Sequence, residues 1–125
     1  MTDATSTPVA PPPPGGPYSA SVRRNDLVFT AGQCGYYPDR RLAEGLDSQV
    51  RVALQNLQAA LALQSATLSD VVAVNVFLSR ADDFDAMNAV YREFFNAEPL
   101  PVRTTVTVGL RPGVLFEVNA QAVVG

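Results

Sequence analysis

Hydrophobic and polar residues follow two different spacings along this chain, and the changes between them predict its secondary structure. Short segments rich in β-branched and aromatic residues, bounded by turn residues, indicate strands. The apolar run Val71–Leu78 is nearly continuous, which is typical of a buried central strand. The other predicted strands are Tyr18–Val22, Leu27–Gln33, Arg103–Val108 and Leu115–Val124, with turns at Arg23–Asp26 and Arg111–Gly113.

Two segments instead repeat their apolar residues at helical spacing. The first begins at Asp47 or Ser48, either of which is a suitable N-cap, and extends to about Leu63. The second begins near Asp82 and Asp83, whose carboxylates favour the helix dipole, and ends before the prolines at 99 and 101. The apolar stripes are Val50, Ala53, Leu54, Leu57 and Leu61 in the first, and Phe84, Met87, Val90, Tyr91 and Phe94 in the second.

The order β-β-α-β-α-β-β predicts an α+β fold with two helices on one face of a mixed sheet. Side chains alternate along the last two strands and form two sets. One set is Thr104, Val106, Val108, Phe116, Val118, Ala120 and Ala122, and the other is Arg103, Thr105, Thr107, Glu117, Asn119 and Gln121. Because two helices cover only one face, the half-polar second face is either solvated or packed on another copy of the chain.

Residues 1–14 precede this domain and contain four consecutive prolines. Such a run favours polyproline II and supports neither a helix nor a strand ladder. We therefore predict that residues 1–14 form a disordered tail and that residues 15–125 form one domain, as the length of 125 residues indicates. A passive tail is favoured over a docking peptide.

Composition narrows the classes of function. A net charge of −3 and a pI near 4.7 disfavour nucleic-acid binding, which needs a dense cationic surface. The absence of histidine and the presence of a single cysteine argue against a metal site. The sequence has no apolar stretch of 18 residues for a membrane span and no signal-peptide pattern, so a cytoplasmic location is expected.

The candidate chemistry depends on arginine and carboxylates, because the chain contains neither histidine nor lysine. Arg103 suits two-point binding of a carboxylate but not proton transfer. General acid–base catalysis would then require a carboxylate, and Glu117 is the preferred candidate. Arg103, Thr105 and Glu117 would share a sheet face if the last two strands pair. An Arg103–Glu117 salt bridge is at least as good an interpretation as a catalytic pairing.

Several other residues have both a functional and a structural interpretation. Gly32 and Gln33 could present their backbone to a ligand, or they could form a bulge at a strand end. Tyr18 could line a site or pack at the sheet edge, and Asn88 could bind a ligand or lie on the helix surface. For Cys34, an inert thiol is favoured over a reactive one.

Nine segments between Gly16 and Val124 follow one another in a recognisable order: Gly16–Ser19, Phe29–Gln33, Gln49–Leu57, Val74–Leu78, Asp83–Phe84, Met87–Tyr91, Phe94–Phe95, Pro101–Val106 and Phe116–Ala120. Each segment is weak alone, but their order and spacing are specific. Through these segments the sequence resembles the RidA (YjgF) family. The resemblance implies a chorismate-mutase-like fold (bacillus type) and a homotrimer with ligand clefts between subunits, whose interior the half-polar sheet face would line.

The resemblance also implies an activity, namely hydrolysis of 2-enamines and 2-imines such as 2-aminoacrylate to 2-keto acids and ammonia, without a cofactor. In that comparison Arg103 corresponds to the residue that binds the substrate carboxylate. The same cleft would be lined by Tyr18, the Gly32–Gln33 segment, Asn88 and Glu117. With Arg103, Glu117 is expected to be catalytic, and Thr105 is a further substrate-binding candidate.

This chain departs from the family pattern at three places. Thr105 replaces a common cysteine, Asn119 replaces the second acidic residue of a Glu-x-Glu pair, and Cys34–Tyr37 replaces a usual Ile-Pro segment. The altered segment leaves the substrate open, including a pathway-specific imine. Two rival functions also remain: a non-catalytic module that binds a keto acid or amino acid, and an endoribonuclease.

Overall fold

The computed structural model describes residues 10–125. Most of the predicted tail, residues 1–9, lies outside the described residues. Residues 11–14, the four prolines, form neither a helix nor a strand. No helix within residues 10–125 is both long enough and apolar enough to cross a membrane.

One mixed sheet contains all six strands of the described chain. The strands lie in the order β1-β2-β6-β4-β5, and the short β3 also pairs with β6. Only β4 and β5 are parallel, and the other pairs are antiparallel. The strands are β1 (Ser21–Arg24), β2 (Leu27–Thr30), β3 (Gln33–Cys34), β4 (Val71–Leu78), β5 (Val102–Thr107) and β6 (Phe116–Val123).

The first hairpin turns more tightly than the sequence predicts. Arg23 and Arg24 belong to β1, and Arg24 pairs with Leu27, so the turn is reduced to Asn25 and Asp26. Asn25 adopts a φ of 52°, a left-handed conformation that asparagine tolerates better than most residues. The segment predicted as one strand to Gln33 is divided into β2 and β3 by an interruption at residues 31 and 32.

Both helices pack on the same face of the sheet, as predicted. The first, α1, spans Leu46–Ala62 and begins after Gly45, whose φ of 81° favours glycine, so it starts slightly earlier than its acidic N-cap candidates indicate. The second, α2, spans Phe84–Phe94 and follows a 3-10 turn, with Asp83 at its N-cap. Among the fully buried core side chains are Val50, Leu54, Leu57, Leu61, Val74, Val76, Leu78, Met87, Phe116 and Val118.

The last two strands do not pair, because β4 lies between them. The chain passes from β4 through α2 into a parallel neighbour, β5, and then returns on the other side of β4 as β6. Val74 pairs with Arg103 on one side and with Ala120 on the other, whereas Phe77 pairs with Glu117. Paired residues share a face, so the predicted grouping of the alternate sets is wrong. Arg103 lies on the helix-covered face and Glu117 on the opposite one.

The second sheet face is uncovered in the single chain and is half polar, as the sequence predicts. Val102 is 71% exposed, and Leu27, Phe29 and Val106 are each more than 40% exposed. Between these apolar residues lie polar ones that include Asn119. This exposed area of large hydrophobic side chains is typical of a surface that packs against another protein.

Candidate active site

A β-bulge shapes the first part of the candidate site. Phe29 pairs with Gln121 and Gln33 pairs with Val118, so the β2–β3 side contains one residue more than β6. The amide of Ala120 donates a hydrogen bond of 3.1 Å to the hydroxyl of Thr30 at this interruption. The structural interpretation as a bulge is therefore confirmed for Gly32, whereas Gln33 lies just after the bulge and pairs regularly with Val118.

Gly32 makes room for the carboxylate of Glu117. A Cβ atom at residue 32 would overlap with Oε2 of Glu117 and lie 2.8 Å from its Cδ. The carboxylate therefore packs directly against the backbone of the bulge. Any larger residue at this position must displace the Glu117 carboxylate, although Gly32 does not adopt a positive φ.

Cys34 holds the other oxygen of the same carboxylate. Its Sγ donates a hydrogen bond of 3.4 Å to Oε1 of Glu117, its partner in the β3–β6 pairing. Burial, followed by the negative charge of Glu117, raises the pKa of Cys34 from 9.0 to about 12. The thiol is therefore protonated at neutral pH and acts as a donor to Glu117 rather than as a nucleophile.

The segment that carries Cys34 is anchored to α1 by a buried polar residue. The side-chain amide of Asn56 donates to the carbonyl oxygens of Cys34 at 3.1 Å and of Tyr36 at 2.8 Å. Gly35 lets the segment approach closely, because a Cβ there would lie 2.6 Å from Cα of Gln49. Asn56 was not among the predicted site residues, although a polar residue beside the apolar stripe of α1 was a usable signal.

These residues open onto a cavity of about 800 Å³, called here the Glu117 cavity. Four of the predicted site residues line it: Tyr18, Gly32, Gln33 and Glu117. The side chain of Gln33 is directed to the helix side of the sheet, because its partner is the buried Val118. The remaining lining residues are Pro12, Pro13, Pro14, Gly15, Ala20, Ala31, Cys34, Tyr36, Arg40, Arg111 and Pro112.

Arg103 lies apart from this cavity, between β5 and α2. Its guanidinium is 4.7 Å from the ring centre of Tyr91 and 5.7 Å from that of Phe84. Burial raises the pKa of Tyr91 while the charge of Arg103 opposes that shift, so the phenol stays neutral beneath the cation. Two aromatic rings therefore orient the guanidinium, and its donors are free of any carboxylate within residues 10–125.

Two further predicted residues lie beside Arg103. Asn88 is one helical turn after Phe84 and three residues before Tyr91, which places it on the same stripe of α2. Thr105 follows Arg103 on the same face of β5. We call Phe84, Asn88, Tyr91, Arg103 and Thr105 the Arg103 cluster.

The predicted site residues are thus divided between two places in the fold. Arg103 and Glu117 were expected to share a sheet face if the last two strands paired. These strands do not pair within one chain, and Arg103 makes no ion pair with Glu117. No cluster of three or more metal-binding side chains occurs within residues 10–125. The Arg103 cluster therefore offers an oriented guanidinium, and the Glu117 cavity offers a carboxylate that accepts a hydrogen bond from a thiol.

Comparison with known proteins assigns the chain and its fold to a family. The family model described as Endoribonuclease L-PSP matches residues 8–124. The chain therefore belongs to this family, in which proteins are also named RidA and YjgF.

Relatives from distant organisms cover most of the chain. A protein of Dermatophagoides farinae named 2-iminobutanoate/2-iminopropanoate deaminase is 38% identical over 109 residues, covering 86% of this chain and 84% of the relative. The mitochondrial protein mmf2 of Schizosaccharomyces pombe is 38% identical over 98 residues, covering 78% of this chain and 77% of that protein. RidA of an Antarctic Psychrobacter bacterium has a TM-score of 0.88 at 30% identity, covering 96% of this chain and 98% of its own.

A solved structure of E. coli TdcF with bound serine is also similar, with a TM-score of 0.87 at 30% identity and coverage of 94% and 96%. The α+β fold with two helices on a mixed sheet is therefore the fold of this family. Relatives with mitochondrial names leave the cellular location of this chain open.

Proposed function

We propose that this protein hydrolyses 2-enamines and 2-imines, such as 2-aminoacrylate, to 2-keto acids and ammonia. We further propose that the protein is a homotrimer. Each cleft would join the Arg103 cluster of one subunit to the Glu117 cavity of its neighbour. The relative named as an imine deaminase supports the reaction class.

The observation that carries this proposal is the separation of Arg103 from Glu117. The two residues lie on opposite faces of one sheet, so a small substrate cannot contact both within one chain. The uncovered sheet face carries exposed apolar residues, including Val102 at 71% exposure, which a neighbouring copy would bury. Assembly therefore provides a means of bringing the two halves together.

Arg103 would bind the 2-carboxylate of the substrate. Its planar fork matches the two carboxylate oxygens, and the ring of Tyr91 at 4.7 Å fixes the plane of the fork. An enamine first takes a proton at C3 and becomes the imine, whose C2 is already electrophilic. Holding the carboxylate fixes C2 in position, so catalysis is mainly a matter of orientation.

Glu117 would position a water and accept its proton. The hydroxyl oxygen bonds to C2, and the former C=N electron pair moves to nitrogen, which takes back the water proton from Glu117. In the resulting carbinolamine the hydroxyl proton then passes through Glu117 to nitrogen, the C–N bond breaks and the C2 carbonyl forms, giving a 2-keto acid and ammonia. The hydrogen bond from Cys34 holds Oε1 of Glu117, so this carboxylate meets the water in a fixed position.

The decisive measurement is the rate of keto acid formation when a serine or threonine dehydratase generates the imine in situ. We expect the protein to accelerate the step and the Arg103→Ala variant to lose that effect. Arg92→Ala is a matched control, because Arg92 is an exposed arginine on α2 outside both halves of the site. Tight binding of a keto acid or amino acid without acceleration would instead establish the non-catalytic binding module.

The family description also raises RNA cleavage. The same two variants test it: a genuine nuclease site at this cleft loses RNA cleavage in Arg103→Ala. RNA cleavage that is equal in the parent and in both variants points to a copurifying contaminant. A net charge of −3 favours the imine reaction over the RNA reaction.

A further inference from the structure

Two arginines of the Glu117 cavity have no partner for their guanidinium groups. Within residues 10–125, the guanidinium groups of Arg40, Arg92 and Arg111 make no hydrogen bond, ion pair or ring contact. Arg40 and Arg111 both line the cavity. Their neighbour Arg41, by contrast, is neutralised by Asp39 at 2.7 Å. Unpaired guanidinium groups at a cavity are available to an anionic ligand.

Arg111 is the better placed of the two. Its Nη1 lies 3.4 Å from the point where a Cβ on Gly15 would stand, and the hydroxyl of Tyr18 lies 3.9 Å from the same point. Its positive charge also acts on Cys34, where it lowers the thiol pKa against the larger effect of burial. The guanidinium of Arg111 is therefore close to the polar groups that surround Glu117.

The positive charge of Arg111 is not used by the proposed reaction. The 2-carboxylate of the substrate is already bound by Arg103, and no ion pair joins Arg111 to Glu117. With Arg40, the cavity carries two guanidinium groups and the single carboxylate of Glu117. A volume of about 800 Å³ leaves space beyond a three-carbon imine.

We infer that Arg111 binds a second carboxylate, on the side chain of the substrate, and that the protein prefers 2-imino dicarboxylic acids to imines with alkyl side chains. The inference rests on the proposed function, because it uses Arg103 for the 2-carboxylate. Arg40, on the same cavity wall, supplies a second cationic donor. An imino dicarboxylic acid would thus be held at both ends, with its C2 between Arg103 and Arg111.

The test compares two imines generated in situ by amino-acid oxidases, one from aspartate and one from alanine. The measured quantity is the ratio of the two rates of accelerated ammonia release. We expect this ratio to favour the dicarboxylic imine and to fall about tenfold or more in Arg111→Met, which keeps an unbranched apolar stem but removes the charge and donors. Arg111→Lys restores charge without the fork and should give an intermediate ratio.

Arg92→Met is the matched control, since it removes an unpartnered arginine outside the cavity, and its ratio should equal that of the parent. A ratio that is the same in the parent and in Arg111→Met overturns the inference. If the parent hydrolyses neither imine, the proposed function fails, and binding decides the inference separately. Calorimetry with 2-oxoglutarate and 2-oxobutanoate should then show a preference for the dicarboxylate that is lost in Arg111→Met. An equal preference in both proteins overturns it.

Discussion

The guanidinium of Arg103 lies 4.7 Å from the ring centre of Tyr91, and this contact, rather than a carboxylate, sets its orientation. Tyr91 is in turn stacked on Phe95, with 4.7 Å between ring centres. The arginine thus rests on an aromatic pair at the end of α2. Its planar fork therefore lies on aromatic rings and makes no ion pair with a carboxylate within residues 10–125.

Replacement of Arg103 by lysine should abolish most imine hydrolysis and leave the fold intact. Lysine keeps the charge but loses the planar fork and its stacking on Tyr91. A bidentate contact used for alignment is worth roughly 2–4 kcal/mol, or about a hundredfold or more in rate. The measurement is the rate of keto acid release, with assembly checked by sedimentation. Arg92→Lys is the control, and a trimeric Arg103→Lys protein with near-parental activity would exclude Arg103 as the carboxylate anchor.

Replacement of Gly32 by alanine should displace Glu117 without unfolding the protein. The new Cβ overlaps with the end of a flexible side chain, so Glu117 moves at little cost in stability while its carboxylate leaves the bulge. We expect a loss of activity of about tenfold or more with a thermal midpoint close to that of the parent.

Gly109→Ala is the control for this change, because a Cβ at residue 109 has no neighbour within 4 Å and no positive φ opposes it. Equal activities of the two alanine variants would show that the position of the Glu117 carboxylate does not matter.

The thiol of Cys34 should resist alkylation at neutral pH and become reactive only at strongly alkaline pH. Its pKa is raised to about 12 by burial and by Glu117, so the thiolate is scarce below pH 10. The rate of reaction with iodoacetamide, followed by mass spectrometry, should still be rising at pH 10. Glu117→Gln removes the negative charge that helps to raise this pKa and should therefore speed alkylation. A rate that levels off near pH 9 would contradict the raised pKa.

The raised pKa of Cys34 also makes the free energy of unfolding depend on pH. The folded thiol has a higher pKa than the unfolded one, so its contribution to stability is complete below about pH 9 and is lost as the pH rises towards 12. The free energy of unfolding of the parent should therefore fall more steeply above pH 9 than that of Cys34→Ala. Parallel pH profiles of the two proteins would refute this coupling.

Mixing two inactive variants should restore activity if each cleft takes its halves from different subunits. Arg103→Ala supplies intact Glu117 cavities, and Glu117→Gln supplies intact Arg103 clusters. In random mixed trimers about one cleft in four receives both intact halves, so the activity should return to about a quarter of the parental value. Activity would be measured after refolding the two variants together, with mixed trimers identified by mass spectrometry. Mixed trimers without activity would exclude a cleft shared in this way.

The sequence predicted the elements of this fold well, because each has a local signal. The Val71–Leu78 strand is predicted with its observed bounds, and both helices are predicted within a few residues. Local signals fail where the decision depends on a partner strand. Arg103 and Glu117 lie on opposite sheet faces because β4 lies between their strands. The sequence of neither strand alone indicates that position of β4.

The environment of Glu117 was harder to predict for the same reason. Gly32 and Gln33 were identified as a possible bulge, but the contact between Cys34 and Glu117 joins residues 83 positions apart in the sequence. Asn56 anchors the segment that carries Cys34. It lies on α1, for which the sequence pattern indicated only an apolar stripe. The catalytic and substrate-binding roles assigned to the site residues all stay predictions, namely those of Tyr18, Gly32, Gln33, Asn88, Arg103, Thr105 and Glu117.

The bulge at residues 31 and 32 sets the phase of everything that follows it on that strand. Side chains alternate between faces, so one inserted residue exchanges which of Gln33 and Cys34 meets Glu117. An unbroken ladder running on from Phe29 through the same residues would pair Gln33 with Glu117, turn Cys34 towards the helices and place an amide beside the carboxylate. The bulge, as much as the cysteine itself, therefore gives this site its thiol donor.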